Sequence, residues 1–453
     1  METERKLAQF VVGTPYAALP ADVRKVARQV LLATAGTAIG GADEEGCGAL
    51  RAMLAVRGGR PEATALVHGR KLPAQNAAML NAVMCRALDY CDAMAPGLHI
   101  GSSLMPVVLA ATELAGGIDG REFIAALTVG AEVAARMNLS ERAYNGFDPT
   151  GVAGIFGATA GAARVLKLNE TQTVHALALA FNRCGGSFQS NVDGSLAVRL
   201  IQGWVAEAAL DCALLARAGL TGPVNFIEGV YGYLNLFAKG ELSAEELCAD
   251  LGRSWRMKRM MFKKYPSCGL TQGGTELALR FAGGRPVAPE SVRAVEVAIP
   301  PYAHRLVGHA FTVGDNPRVN AQFSMAYCVA NAMIRGASKL AHFTPQAIAD
   351  ENVRQFIAKI SVKADPALES RDHTAVDLRV TTADGRQDLL TLEHAPGFPD
   401  NPLDDDAHIA RFMDCLAYAQ KPQSADKARK LLAFIESIDS VTDARALVGA
   451  INQ

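Results

Sequence analysis

The sequence predicts a mainly α protein that carries a smaller α+β domain. Three observations point there. Half of the 453 residues are hydrophobic while only 6% are aromatic. Much of that apolar content is Ala, Leu and Val, and Ala and Leu are strong helix formers. From the start to about residue 260 nearly every segment has helical length and period. Near residue 290 the pattern changes to alternation of apolar and polar residues, with an Asp-Gly turn further on.

Each element follows from local signals. Helices are expected over 6–12, 20–39, 46–57, 74–92, 105–116, 120–140, 150–166, 171–182, 197–218 and 244–250. Pro20-Ala-Asp22 and Asn169-Glu-Thr171 supply start signals. Gly40-Gly41, Gly58-Gly59 and Gly116-Gly117 supply stops. Strands are expected over 292–299, which ends at Pro300-Pro301, and over 356–363, 376–381 and 388–393. The last two flank Ala383-Asp384-Gly385, a hairpin signal. Helices over 323–335 and 344–349 lie between the strands, and a small antiparallel sheet is the expected core of this part. After Pro396-Gly397-Phe398-Pro399 the chain returns to helix over 404–419, 425–438 and 444–452. The expected organisation is a large all-α helical domain built from both chain ends, 1–268 and 398–453, with an α+β domain over 269–397.

Charge and cysteine usage narrow the function classes. Lys and Arg number 45 against 46 Asp and Glu, a net charge of -1. Nucleic acid and anionic membrane both favour a surplus of cations, so neither is the expected partner. The uncharged stretch 149–163 is shorter than the ~20 residues a membrane span needs. Glu2, Glu4, Arg5 and Lys6 are followed by no apolar run of signal-peptide type. The nine cysteines are scattered, without CxxC. A reducing cytoplasm is the expected compartment.

Four constellations carry candidate chemistry. The first runs from Cys85 through Arg86, Asp89 and Asp92 to a Pro96-Gly97 break, His99 and Ser103. On a helix Arg86 and Asp89 share one face, and Asp92 continues it. The N–H groups of the helix start that follows can bind a carboxylate. A surface ion pair with a loop histidine is the bland reading. The second is Tyr144-Asn-Gly-Phe-Asp148-Pro-Thr150-Gly151, followed by Gly154 and Gly157. Asp148 or Thr150 caps a helix there. The glycines favour close helix packing, and without a preceding strand they do not form a dinucleotide fingerprint. Tyr144, just before the turn, has reach into a cleft. The third is Lys263-Lys264-Tyr265-Pro266-Ser267-Cys268, with Gln272 beyond. A lysine beside a low-dielectric cleft can give up its proton and act as a base; an ordinary basic linker is the alternative. Cys268 has no neighbouring histidine to activate it. The fourth is Asn320-Ala-Gln-Phe323-Ser324-Met-Ala-Tyr327, a helix start with Ser324 and Tyr327 on one side. The nine histidines are dispersed and HExxH is absent, which disfavours a catalytic metal.

Asp89-Tyr-Cys-Asp92 with Pro96-Gly-Leu-His99, Gly146-Phe-Asp148-Pro-Thr150-Gly151, Lys263-Lys-Tyr265-Pro266-Ser-Cys268 and Ala321-Gln-Phe323-Ser324-Met-Ala-Tyr327 together resemble the MmgE/PrpD family, in order and over nearly the whole chain. That family includes 2-methylcitrate dehydratase, cis-aconitate decarboxylase and iminodisuccinate epimerase. The resemblance implies a large all-α domain, an α+β lid domain and a site between them. It also implies a homodimer, no metal or organic cofactor, and a small di- or tricarboxylate substrate. Asp89, His99, Lys263 and Tyr327 match family positions. The chain departs elsewhere. Ala93 stands where the decarboxylase has a threonine, and Asp148 where the family has the histidine of His-Pro-Thr-Gly. Val198-Arg199-Leu-Ile201-Gln-Gly203 stands for a Lys/His segment, and Gln272 for a histidine.

The shared chemistry is making or quenching a carbanion beside a carboxylate, which needs a tuned base and groups that stabilise developing negative charge. Racemisation needs two acid–base groups on opposite faces of one carbon. With most accessory histidines gone, the expectation is epimerisation or isomerisation by Lys263 and Tyr144. Arg86, His99 and Arg199 would bind carboxylates, with Ser267, Tyr327 and Gln272 also at the substrate, and Asp89 would orient His99 or Lys263. Dehydration or decarboxylation is the second reading, and a non-catalytic carboxylate-binding paralogue the third.

Overall fold

The computed structural model describes residues 2–452, and helix dominates them. Two compact units share the chain. One comprises the chain up to Gln189, Ala197–Met260 and the chain from Cys415; the other comprises Ser190–Leu196 and Met261–Asp414. Among the described residues no helix is long and apolar enough to cross a membrane.

The first unit is built on α1 (Ala21–Gly40), α2 (Ala74–Arg86), α3 (Gly101–Leu114), α4 (Gly120–Met137), α5 (Ile155–Val165), α6 (Glu170–Phe181) and α7 (Ala197–Arg217). Its helix pairs approach closely because small residues line the contacts. α4 crosses α5 where a Cβ on Gly157 would lie 2.3 Å from the Gly130 carbonyl. α7 meets α2 at Gly203, against Met79 and Val83. Such contacts are the physical content of an Ala-rich, ring-poor composition. The start signal at Asn169 is a full capping box: its Oδ1 accepts from the Gln172 N–H at 2.9 Å, and Gln172 Oε1 accepts from the Asn169 N–H at 3.1 Å.

Residues from the chain's end complete this unit. The Gly120 N–H donates to the Val441 carbonyl at 2.8 Å, and the Ala444 N–H to the Ile118 carbonyl at 2.7 Å. Arg28 pairs with Asp439 at 2.9 Å, and the Tyr418 hydroxyl donates to Glu44 at 2.8 Å. A buried polar staple holds α4 to the segment 247–257. Arg136 Nε donates to Glu132 Oε1 at 2.6 Å. Its other nitrogens donate to the carbonyls of Leu247, Ala249 and Ser254. Glu132 Oε2 accepts from the Met257 N–H at 2.9 Å. Both side chains are fully buried.

The second unit holds a four-stranded sheet: β1 (Val292–Ile299), β2 (Ile360–Ala364), β3 (Val376–Thr382) and β4 (Gln387–Leu392), in the order β2-β1-β3-β4. The sheet is mixed, which corrects the antiparallel expectation. β1 and β2 pair in parallel, with Val295 opposite Ile360 and Val297 opposite Val362. The long helical crossover between them returns the chain in the same direction, as a parallel pair requires. The Asp384-Gly385 turn joins β3 and β4 as expected. Val295, Val297, Ile299, Leu378 and Val380 are buried together with residues of the helices Gln272–Ala282 and Met325–Arg335.

Two element boundaries differ from the sequence reading. The expected strand over 356–363 is the helix Glu351–Ile357 followed by β2. Asp350 Oδ1 accepts from the Asn352 N–H at 3.0 Å to start that helix, and Val353 and Phe356 share its buried side. The expected helix over 74–92 stops at Arg86. Asp89 then takes a left-handed backbone (φ 50°), which Asp tolerates better than most residues.

Candidate active site

The break after Arg86 builds the first half of the candidate site. Because Asp89 is left-handed rather than helical, it turns back, and the Arg86 guanidinium donates to its carboxylate. Both are nearly fully buried. Burial opposes the guanidinium's charge, but Asp89 together with Cys91 and Asp148 outweighs it and keeps Arg86 protonated. Asp92 lies off the helix face it was assigned to. Its Oδ2 accepts from the N–H groups of Gly101 (2.8 Å) and Ile100 (3.2 Å), at the start of α3. The helix start expected to receive a substrate carboxylate is therefore occupied by the chain's own carboxylate. Gly101 suits this closeness, since a Cβ there would lie 2.2 Å from Asp92 Oδ1. Asp92→Ala is expected to cost about 1–2 kcal/mol, the worth of a helix cap; urea unfolding of the two proteins measures it.

The same residue orients His99. His99 Nδ1 lies 2.8 Å from the Asp92 carbonyl and 3.2 Å from Cys91 Sγ. A carbonyl only accepts, so Nδ1 carries the proton and, in the neutral ring, the basic lone pair lies on Nε2. The His99 N–H donates to Thr150 Oγ1 at 3.0 Å, which ties this loop to the second motif.

There Asp148 Oδ1 accepts from the N–H groups of Thr150 (2.8 Å) and Gly151 (3.2 Å), as a cap should. The Asp148 N–H in turn donates to the Gly186 carbonyl at 3.1 Å. Burial pushes the Asp148 carboxyl up from its ordinary range, partly offset by those two N–H groups and by Arg86. The glycines divide their work. Gly157 serves helix packing, whereas Gly151 abuts the Gly185 carbonyl, at 1.7 Å from where a Cβ would stand.

Tyr144 does not reach outward. Its hydroxyl donates to Asn138 Oδ1 at 2.8 Å and accepts from the Leu139 N–H at 3.1 Å. Burial pushes its phenol well above the ordinary value, which is the wrong direction for a base. The geometry makes it a brace of its own turn. Arg199 is buried and donates to the Glu45 carbonyl at 2.7 Å, holding the segment before the helix Cys47–Arg57.

The second unit contains the lysine motif. Lys263 follows the short strand Met261–Phe262 and is 2% exposed. Its neighbour is used differently: Lys264 Nζ and the Tyr265 hydroxyl both donate to Glu276, at 2.8 and 2.6 Å. Gln272 is committed to the loop. Its Oε1 accepts from the Tyr265 N–H at 2.9 Å, and its Nε2 donates to the Tyr265 carbonyl at 3.0 Å. Ser267 Oγ lies 2.7 Å from Thr271 Oγ1. The Tyr327 hydroxyl donates to the His342 carbonyl at 2.6 Å, and its ring packs between Phe311 and Phe343. Gln272 and Ser267 thus hydrogen-bond within the loop of the lysine motif, and Tyr327 within the second unit's core. Sequence reasoning passed over Gln322, inside the fourth motif, whose carbonyl and Nε2 hold Cys268 and Pro266 at 2.9 and 3.0 Å.

Arg86, Asp89, Cys91, Asp92, His99, Asp148 and Thr150 thus form one connected polar cluster in a helical unit. Such a cluster, buried yet rich in titratable groups, marks a candidate functional site. The MmgE/PrpD N-terminal domain matches residues 5–245 and the MmgE/PrpD C-terminal domain residues 265–436. The chain belongs to the MmgE/PrpD family. It is 24% identical, over 98% of its length and 96% of the relative's, to a cis-aconitate decarboxylase-like protein (oryM) of Aspergillus oryzae.

Proposed function

We propose that this enzyme removes or delivers a proton beside a carboxylate of a small di- or tricarboxylate, without a cofactor. The observation that carries the reading is the fixed orientation of His99: Nδ1–H on the Asp92 carbonyl and the lone pair on Nε2, in the cluster that contains the Arg86–Asp89 pair. Lys263 and His99 Nε2 are the two candidate bases, and Asp89, proposed to orient one of them, is paired with Arg86. Epimerisation or isomerisation, as in iminodisuccinate epimerase, is the first reading, with the acid–base pair now sought among Lys263, His99 and their neighbours rather than at Tyr144. Decarboxylation or dehydration is the second reading, and the Aspergillus relative, described as cis-aconitate decarboxylase-like, supports the former. The α+β unit as a lid, a homodimer and a cytoplasmic setting belong to the same proposal. Sedimentation at micromolar concentration checks the dimer.

Solvent deuterium separates the readings. Incorporation at the α-carbon without loss of carboxylate or hydroxyl supports epimerisation. Release of CO2 or water with a new alkene absorbance establishes the lyase instead. Lys263→Ala and His99→Gln are each expected to lower turnover by about 10²–10⁴, the usual worth of a general acid or base. Full turnover in both would refute the assignment. Carboxylate binding without turnover across a panel of acids would select the non-catalytic reading.

A further inference from the structure

We infer that Asp148 is an acid–base residue of this enzyme, a carboxyl that delivers and retrieves a proton opposite His99 Nε2. The inference rests on the proton-transfer reading above and gives a role in the chemistry to a residue that the sequence offers as a helix cap standing where the family has a histidine.

Three observations carry it. The carboxyl is held in one orientation: Oδ1 accepts from the Thr150 and Gly151 N–H groups at 2.8 and 3.2 Å, and the backbone is anchored by the Gly186 carbonyl. It belongs to the His99 cluster, since Thr150 accepts from the His99 N–H while donating its own N–H to Asp148. Gly97, two residues before His99, also faces Pro149. Finally, burial raises the carboxyl against the pull of the Gly151 and Thr150 N–H groups. Arg86 acts on it, but Arg86 is already paired with Asp89. The Tyr144 phenol also interacts with it, and a neutral phenol supplies no positive charge. A carboxyl so placed is buried, oriented and easier to protonate than an ordinary aspartate, the direction a proton donor needs.

The step balances without a co-reactant. His99 Nε2 takes the α-proton, the C–H bond breaks, and its electron pair remains on the carbon as an enolate-like carbanion. The Asp148 O–H bond then breaks and a new C–H bond forms, leaving His99 protonated and Asp148 ionised. Exchange with water restores both. In the lyase reading the same Asp148 proton goes to the departing hydroxide or to the carbanion left by CO2.

Asp148→Asn tests this, because the amide oxygen keeps the two N–H bonds while the acid is lost. Infrared difference spectra of wild type minus Asp148→Asn, titrated from acid to neutral pH, should contain a protonated-carboxyl band that persists above the ordinary aspartate range. If no such band is present the inference fails, whether or not any acid offered is turned over. With cis-aconitate and iminodisuccinate as probes, Asp148→Asn should keep its thermal midpoint. On any probe the wild type turns over, it should lose roughly a hundred-fold or more in turnover and the pH limb assigned to the acid. A wild-type pH profile in Asp148→Asn, with Lys263→Ala and His99→Gln inactive, overturns the Asp148 role alone. Full turnover in Lys263→Ala and His99→Gln overturns the wider reading instead.

Discussion

Replacing Arg136 with methionine will destabilise the helical unit by about 3–5 kcal/mol, because it strands Glu132 as a buried charge. The loss exceeds that of any exposed ion pair, for which ~0–1 kcal/mol is usual. Burial already raises the Glu132 carboxyl above its ordinary value, against the pull of the Met257 N–H and of Arg136. A carboxyl whose folded-state pKa is raised contributes stability in its protonated form, fully present below the unfolded value and lost as pH rises through the folded one. Removing Arg136 raises it further. The deficit of Arg136→Met should therefore be largest near neutral pH and shrink on acidification. Urea unfolding at two pH values measures this, and equal deficits at both would refute it. Adding Glu132→Gln to Arg136→Met should restore part of the loss by removing the stranded charge.

Gly151→Ala should be the most damaging single methyl group near the site. The added Cβ would stand 1.7 Å from the Gly185 carbonyl oxygen, so the 184–188 segment has to move. That segment accepts the Asp148 N–H and donates the Gly185 N–H to the Gly151 carbonyl. Overpacking of this kind costs about 1–3 kcal/mol, and a misplacement near 1 Å costs on the order of a hundred-fold in rate. Gly154→Ala is the control. Its Cβ would meet Thr150 Cγ2 at 3.1 Å and Leu98 at 3.4 Å, and side-chain tips yield where a carbonyl does not. Comparable activity in the two variants would sink the argument.

These positions show what the sequence can carry. Helical period and Ala/Leu content reveal the helices of the first unit, and Asp-Gly reveals the β3–β4 hairpin. Failures come where a single side chain overrides periodicity. Asp89 ends α2 early because its backbone turns left-handed, and Asp350 starts a helix where alternation suggests a strand. Motif order brings forward Asp89, His99 and Lys263, but burial and hydrogen-bond commitment are three-dimensional. Nothing local says that Tyr144 spends its hydroxyl on Asn138, that Gln272 braces a loop, or that Asp92 fills the helix start prepared for a ligand.

The first unit's dependence on both ends of the chain sets a timetable for synthesis. When residue 260 leaves the ribosome, Gly120, Ile118, Arg28 and Glu44 still await the segments that carry Val441, Ala444, Asp439 and Tyr418. Close to two hundred residues must be translated first, at about 5–20 residues per second. For some ten seconds or more the nascent helices keep an unfinished apolar flank, while most of the second unit is local in sequence and can close early. This is a chain whose first-made part is the last to be sealed, and chaperone demand should concentrate in that interval.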